Sequence, residues 1–235
     1  MKKFILSLII LSLTYSFASS QTKSRGESYS YAGLGYSLIF FTNSDVAEVY
    51  PVFNFSNSSF MNEVNLFYGI RLNKSFAIEI SPSFVYSSSS NSDGFYFNDD
   101  IGKRYYVPNK ANLFALPLNI NIKFYPFTED MLSPVSNLYI GFGGGPMYIR
   151  EEYDNNIYID ENLTSFQGFK TSKNSIWNEN LHFMVGFGSS ARFGYAIELG
   201  YRLVPLKGDN VIPVASSMAS NFNSVNLSFK GIFSF

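Results

Sequence analysis

EVNLFYGIRLNKSFAIEISPSFVY, residues 63–86, alternates apolar and polar side chains on both sides of a short interruption, Asn73-Lys74-Ser75. Val64, Leu66, Tyr68, Ile70 and Leu72 share one parity before the interruption, and Phe76, Ile78, Ile80, Pro82, Phe84 and Tyr86 share one after it. A period of two places successive side chains on opposite faces of a strand. A three-residue turn sets Leu72 against Phe76, Ile70 against Ile78, Tyr68 against Ile80 and Val64 against Phe84. Each residue of that face meets an apolar partner, an agreement that a slip of one residue would destroy. The stretch therefore reads as an antiparallel hairpin with one wholly apolar face.

The same period recurs outward from it. Alternating segments span 28–40, 63–72, 76–86, 113–125, 138–148, 181–188, 193–203 and 224–235, which makes eight strands. The links between them alternate in length. Residues 73–75 and 188–192 are short and 126–137 moderate, while 41–62, 87–112, 149–180 and 204–223 are long and rich in Ser, Asn, Asp and Gly. Transmembrane barrels carry short turns at the periplasmic rim and longer loops at the extracellular one. The reading is an all-β chain forming a closed eight-stranded antiparallel up-and-down transmembrane β-barrel. It widens to ten strands if 41–62 or 149–180 supplies two more.

Composition agrees with a lipid-facing surface. The 235 residues include 25 Phe and 17 Tyr but 1 Trp, and charged residues make up 15% where a soluble domain carries nearer a quarter. The apolar face bears bulky aromatics, and the other face bears Gly, Ser, Asn and charges, as a narrow polar lumen requires. With 17 basic and 18 acidic residues, nothing points to nucleic acid. The absence of cysteine excludes disulfides, thiolate metal sites and a lipoprotein anchor.

Lys2 and Lys3 precede an apolar run from Phe4 to Leu13, and Ser16-Phe17-Ala18 supplies the small residues of an export cleavage site. The run is shorter than the ~20 residues a membrane-spanning helix needs. The expectation is a signal peptide over 1–18, a short segment over 19–27 and the barrel over 28–235.

Three stretches carry a family resemblance: SVNLSFKGIFSF at 224–235, LPLNINIKFYP at 116–126 and YIGFGGGP at 139–146. Together they resemble the outer membrane protein β-barrel domain family, which includes the transmembrane domain of outer membrane protein A and outer membrane protein X. The resemblance covers essentially all of the mature chain. It implies the fold and a place in the outer membrane of a diderm bacterium, as a monomer in contact with outer-membrane lipid. It also implies that Phe229, Phe233 and Phe235 act as the terminal signal read by the barrel assembly machinery. No periplasmic peptidoglycan-binding domain is expected, because the chain stops at the last strand.

Strand phase puts Arg71, Glu79, Lys123, His182, Glu198, Arg202 and Lys230 inside. Arg71 lies diagonal to Glu79, within reach of long side chains. A five-residue turn at 188–192 would set His182, the single histidine, opposite Glu198. Unpaired charge in a dry lumen is costly, so a plug of ion pairs is expected. The alternative is an ion-selective lining, slightly cationic because four bases outnumber two acids. A His–Glu pair could act as a general base, but His182 points into the lumen, away from lipid substrates. The glycines at 141, 143, 144 and 145 lack the following helix and Lys-Ser/Thr of a phosphate loop. Glu151, Glu152, Asp154, Asp160 and Glu161 lack EF-hand spacing. No cofactor, metal or catalytic site is expected. The role expected is structural or surface-interacting through the long loops, with a small-solute channel and a lipid-modifying enzyme as alternatives.

Overall fold

The hairpin at 63–86 forms in the predicted register. In the computed structural model Ile70 lies opposite Ile78, Tyr68 opposite Ile80 and Val64 opposite Phe84. Asn73 fixes its turn: the side-chain oxygen accepts the backbone N–H groups of Ser75 (2.8 Å) and Phe76 (2.9 Å). An asparagine that bonds the backbone just ahead of it makes its own turn, which is why so short a link suffices.

The structure describes residues 28–42, 53–55, 58–90, 95–98, 104–107, 110–128, 134–158, 166–189, 192–206 and 221–235. The expected export leader at 1–18 and the segment at 19–27 lie outside them. The strands are β1 (Tyr29–Phe41), β2 (Phe53–Phe55), β3 (Ser58–Arg71), β4 (Phe76–Ser90), β5 (Phe95–Asn98), β6 (Arg104–Val107), β7 (Lys110–Phe124), β8 (Leu138–Tyr158), β9 (Phe166–Gly188), β10 (Phe193–Leu203) and β11 (Ser224–Ser234). Eight of them follow one another round the barrel as β1, β11, β10, β9, β8, β7, β4 and β3, and β3 pairs back to β1. The wall is closed. β2 pairs with the start of β3 and β5 with β6, so neither adds to the barrel.

The link expected over 149–180 is mostly strand. β8 and β9 stay paired far beyond Tyr148, through Arg150 opposite Ser175 to Asn156 opposite Phe169. Residues there are polar at both parities, so alternation left no apolar face by which to detect the extension. The acidic Glu151, Glu152 and Asp154 accordingly sit in β8, whereas Asp160 and Glu161 fall outside the described residues.

One row of paired residues sets the barrel's pitch. It runs from Arg71 through Ala77, Lys123, Gly141, Met184, Gly200, Asn226 and Ile39, and re-enters β3 at Met61, ten residues from Arg71. With eight strands, such a stagger tilts them about 35–45° and leaves an interior that side chains fill.

Burial is inverted relative to a water-soluble barrel. Leu34, Leu66, Ile120 and Leu199 are 58–60% exposed, whereas Glu79 is fully buried and Lys123 and Glu198 are 3% and 2% exposed. Outward aromatics gather at two levels. Phe76 packs on Phe124, Phe193 on Phe233 and Phe233 on Phe235 near the short-turn rim. Phe84, Phe114, Tyr148 and Trp177 form a chain of ring contacts of 5.1–6.1 Å toward the other rim. On β7 the two levels are marked by Phe124 and Phe114, separated by roughly 25 Å along the membrane normal at ~3.3 Å per residue and this tilt. That is the height of the apolar band on outer-membrane barrels.

Ile120 sits between those levels. Ile120→Arg should cost about 2–4 kcal/mol in refolding into lipid vesicles, whereas Val135→Arg, in the link beyond the strand end, should cost near zero. Equal costs would contradict the assigned lipid face.

Candidate functional site: the lumen charge network

Parity carries inward every ionisable residue singled out from the sequence. Four of them meet in a closed ring. Lys123 bonds Glu79 Oε2 (2.6 Å) and Glu198 Oε1 (2.8 Å), and Lys230 bonds Glu79 Oε1 (2.9 Å) and Glu198 Oε2 (2.7 Å). Glu79 and Lys123 come from the adjacent β4 and β7, and Glu198 and Lys230 from the adjacent β10 and β11. The ring therefore bridges the lumen between separate arcs of the wall. Each carboxylate oxygen accepts from a lysine, and Glu198 Oε1 also accepts from the Tyr139 hydroxyl at 2.6 Å. Lys123 lies 4.8 Å from the Tyr139 ring centroid and Lys230 5.0 Å from that of Phe67. Two plus and two minus charges cancel within one cluster, which is the condition for burying them at all.

Farther from the short-turn rim, Arg202 on β10 donates to Glu63 Oε1 on β3 at 2.8 Å. Glu63 was missed in the sequence because it stands at the end of an alternating segment, though its parity with Asn65 marks it as inward. It corrects the expected excess of bases: three buried acids (Glu63, Glu79 and Glu198) now oppose three buried bases (Lys123, Arg202 and Lys230), and Glu151 is buried on β8 as well. Tyr139 was also passed over, inside a glycine-rich stretch.

Two expected pairings are not made. His182 lies opposite Arg202, not Glu198. The last pair before the link is Gly188 with Ala196, so the link takes up the seven residues 189–195 in place of the five at 188–192, and the pairing shifts by four. Four is even, and His182 keeps its inward face. Its ring packs over Gly200, where an added Cβ would come within 2.4 Å of Nε2. Arg71 does not pair with Glu79. Its guanidinium stacks on Tyr125, 3.6 Å from the centroid, and donates to the Asn73 (3.2 Å) and Lys74 carbonyls. Glu79 already has two lysines, and Arg71, beside the turn, reaches the turn's carbonyls.

Neither ring nitrogen of His182 bonds a protein group, so no nucleophile–base pair is assembled there. Among the described residues no three His, Cys, Asp or Glu side chains converge as metal ligands.

The family described as outer membrane protein beta-barrel domain matches residues 9–233. No curated protein matches the chain in sequence. Similar solved structures include Ail, the attachment invasion locus protein of Yersinia pestis, in complex with the heparin analogue sucrose octasulfate, at 9% identity and TM-score 0.40, covering 90% of this chain and 100% of that one. Neisserial surface protein A shares 12% identity at TM-score 0.43, covering 88% and 97%. The outer membrane protein OprG of Pseudomonas aeruginosa shares 10% at TM-score 0.38, covering 90% and 98%.

Breaking one side of the ring should be worse than removing a neutral pair. Lys123→Met leaves two glutamates sharing one lysine and should cost about 3–5 kcal/mol in urea unfolding of the refolded barrel. Lys123→Met with Glu79→Met leaves the Lys230–Glu198 pair intact and should cost less than the single change. Simple additivity of the two single losses would contradict a coupled ring.

Proposed function

This chain belongs to the outer membrane protein β-barrel domain family, and on that footing we propose that it is a closed, non-catalytic barrel that presents a β-ribbon for contacts at the cell surface. It is a protein of the bacterial outer membrane. The observation that carries the reading is the unequal height of the wall. β9 pairs with β8 from Phe166 to Leu138's partner Phe187, yet pairs with β10 only from Leu181 to Gly188. Among the described residues no strand lies against the other edge of β9 over 166–180. An open edge offers unpaired N–H and C=O groups to an incoming extended segment. Lys173 and Glu179 along it, both exposed, disfavour indiscriminate pairing with apolar strands.

A closed lumen supports a surface role over a channel: paired charges cross the interior at one level and buried apolar side chains occupy it at another. The unpartnered His182, facing inward, supports the absence of catalysis. The further parts of the proposal are export with residues 1–18 removed, insertion by the barrel assembly machinery reading Phe229, Phe233 and Phe235, and a monomer held in outer-membrane lipid, with no cofactor.

The refolded mature barrel should be silent in a planar bilayer, and cells displaying it should adhere to protein-coated surfaces in a way that depends on the ribbon. Shortening the paired ribbon between Glu152 and Lys173 should abolish that adhesion without impairing folding. Stable conductance steps would replace this reading with the channel, and adhesion indifferent to the ribbon would remove the proposed contact surface.

A further inference from the structure

The lumen changes chemistry twice along its length, and the changes can be followed strand by strand. On β4 the inward series is Glu79, Ser81, Ser83, Val85, and on β3 it runs Asn65, Glu63, Met61 toward the same rim. On β1 Ile39 follows Ser37, and on β7 Leu113 lies beyond Asn119, which lies beyond Lys123. Charged ring, polar middle and apolar end thus stack in that order from the short-turn rim.

The apolar end is made of buried inward side chains. Ile39, Met61, Val85, Leu113, Met147 and Ile149 reach it from β1, β3, β4, β7 and β8, and each is at most 4% exposed. Side chains so buried on inward faces close the bore by exclusion of water rather than by pairing of charge. The ring of Glu79, Lys123, Glu198 and Lys230 closes it at the other side, backed by Tyr31 (6% exposed) and Tyr139 (2%).

The middle is neither packed nor satisfied. Polar atoms of six side chains there have no protein partner: Glu63 Oε2, Asn65 Oδ1, Asn119 Oδ1, Asn121 Oδ1, both His182 nitrogens and Arg202 Nε. All six side chains belong to residues at least nine-tenths buried, and all line one hollow. Buried polar groups require partners, and small donors and acceptors of this kind are what internal water satisfies.

We infer that the barrel encloses an internal water site at His182, Glu63 and Arg202, cut off from one aqueous side by the charge ring and from the other by the apolar cluster, each seal sufficient by itself. The inference rests on the closed-lumen reading proposed above and deepens it. Loss of the ring admits solvent to the chamber from the short-turn rim, and the apolar cluster still stops it there. Loss of the cluster admits solvent from the opposite rim, and the ring still stops it.

The chain contains no cysteine, so Ser81→Cys places a single thiol at the chamber wall. The probe is silver ion, small, charged and thiol-reactive, added to either side of the barrel held in a bilayer. With both seals intact, the thiol should resist silver from both sides. With E79A/K123A/E198A/K230A it should react only from the short-turn side, and with I39S/L113S/I149S only from the other. Only the combined variant should pass ionic current. Current through either single-seal variant, or reaction from both sides in one, would overturn the inference, as would silence of the combined variant. Reaction in the barrel with both seals intact would instead overturn the closed-lumen reading. Should the four-alanine barrel fail to fold, E79A/K123A, which removes one charge of each sign, carries the same test.

Discussion

Hydrocarbon offers a backbone amide no water, so every N–H and C=O that crosses it must be answered from within the protein. A flat sheet leaves two edges unanswered, and a closed one leaves none. Here closure joins β3 to β1 and β1 to β11, and the ends of the circuit are tied by Ser30 and Phe235, whose backbone N–H groups donate to each other's carbonyls at 3.2 and 2.9 Å. Once eight strands close with a ten-residue stagger, the bore can be no wider than its own side chains fill. Parity then does the sorting: one set of residues must suit lipid and the other must suit itself.

That second demand explains the chemistry of the interior. A narrow bore cannot hydrate Glu79, Lys123, Glu198 and Lys230 separately, and each would be prohibitive to bury alone. Arranged so that both lysines meet both glutamates, they neutralise one another and consume all four carboxylate oxygens. Room for these long side chains comes from neighbours that have none. Tyr31 lies where a Cβ on Gly69 would be, and Tyr139 where one on Gly186 would be, with would-be contacts of 2.2 and 2.4 Å. Gly69 and Gly186 are thus spaces reserved for specific rings.

Much of this was legible in residues 63–86, because a hairpin with one apolar face fixes its own register and Asn73 closes the turn. The inward placement of the ionisable residues followed from period two alone. What stayed hidden was governed by contacts between strands distant in sequence. Nothing local to Lys123 points to Glu198, and the pairing of His182 depended on how many residues the link at 189–195 consumes. Glu63 and the apolar cluster escaped for a related reason. Alternation fades where a strand becomes apolar at both parities, as at Leu38-Ile39-Phe40-Phe41, and there period two cannot say which face is which. The ribbon of β8 and β9 was hidden by the opposite condition, polarity at both parities.

The ring also has a bearing on the order in which the barrel is assembled. Glu79 and Lys230 are 151 positions apart in sequence, and Glu63 and Arg202 are 139 apart. Such contacts form only after long stretches of chain have been gathered, at the entropic cost of closing large loops. A half-built sheet of β3, β4 and β7 would carry Glu63 without Arg202, and the Glu79–Lys123 pair without the second glutamate and lysine from β10 and β11, and would hold them poorly in a bilayer. Partial insertion is thereby disfavoured, and the last strand to arrive delivers charge compensation and edge closure together. The same four side chains that fill the finished bore make its formation close to all-or-none.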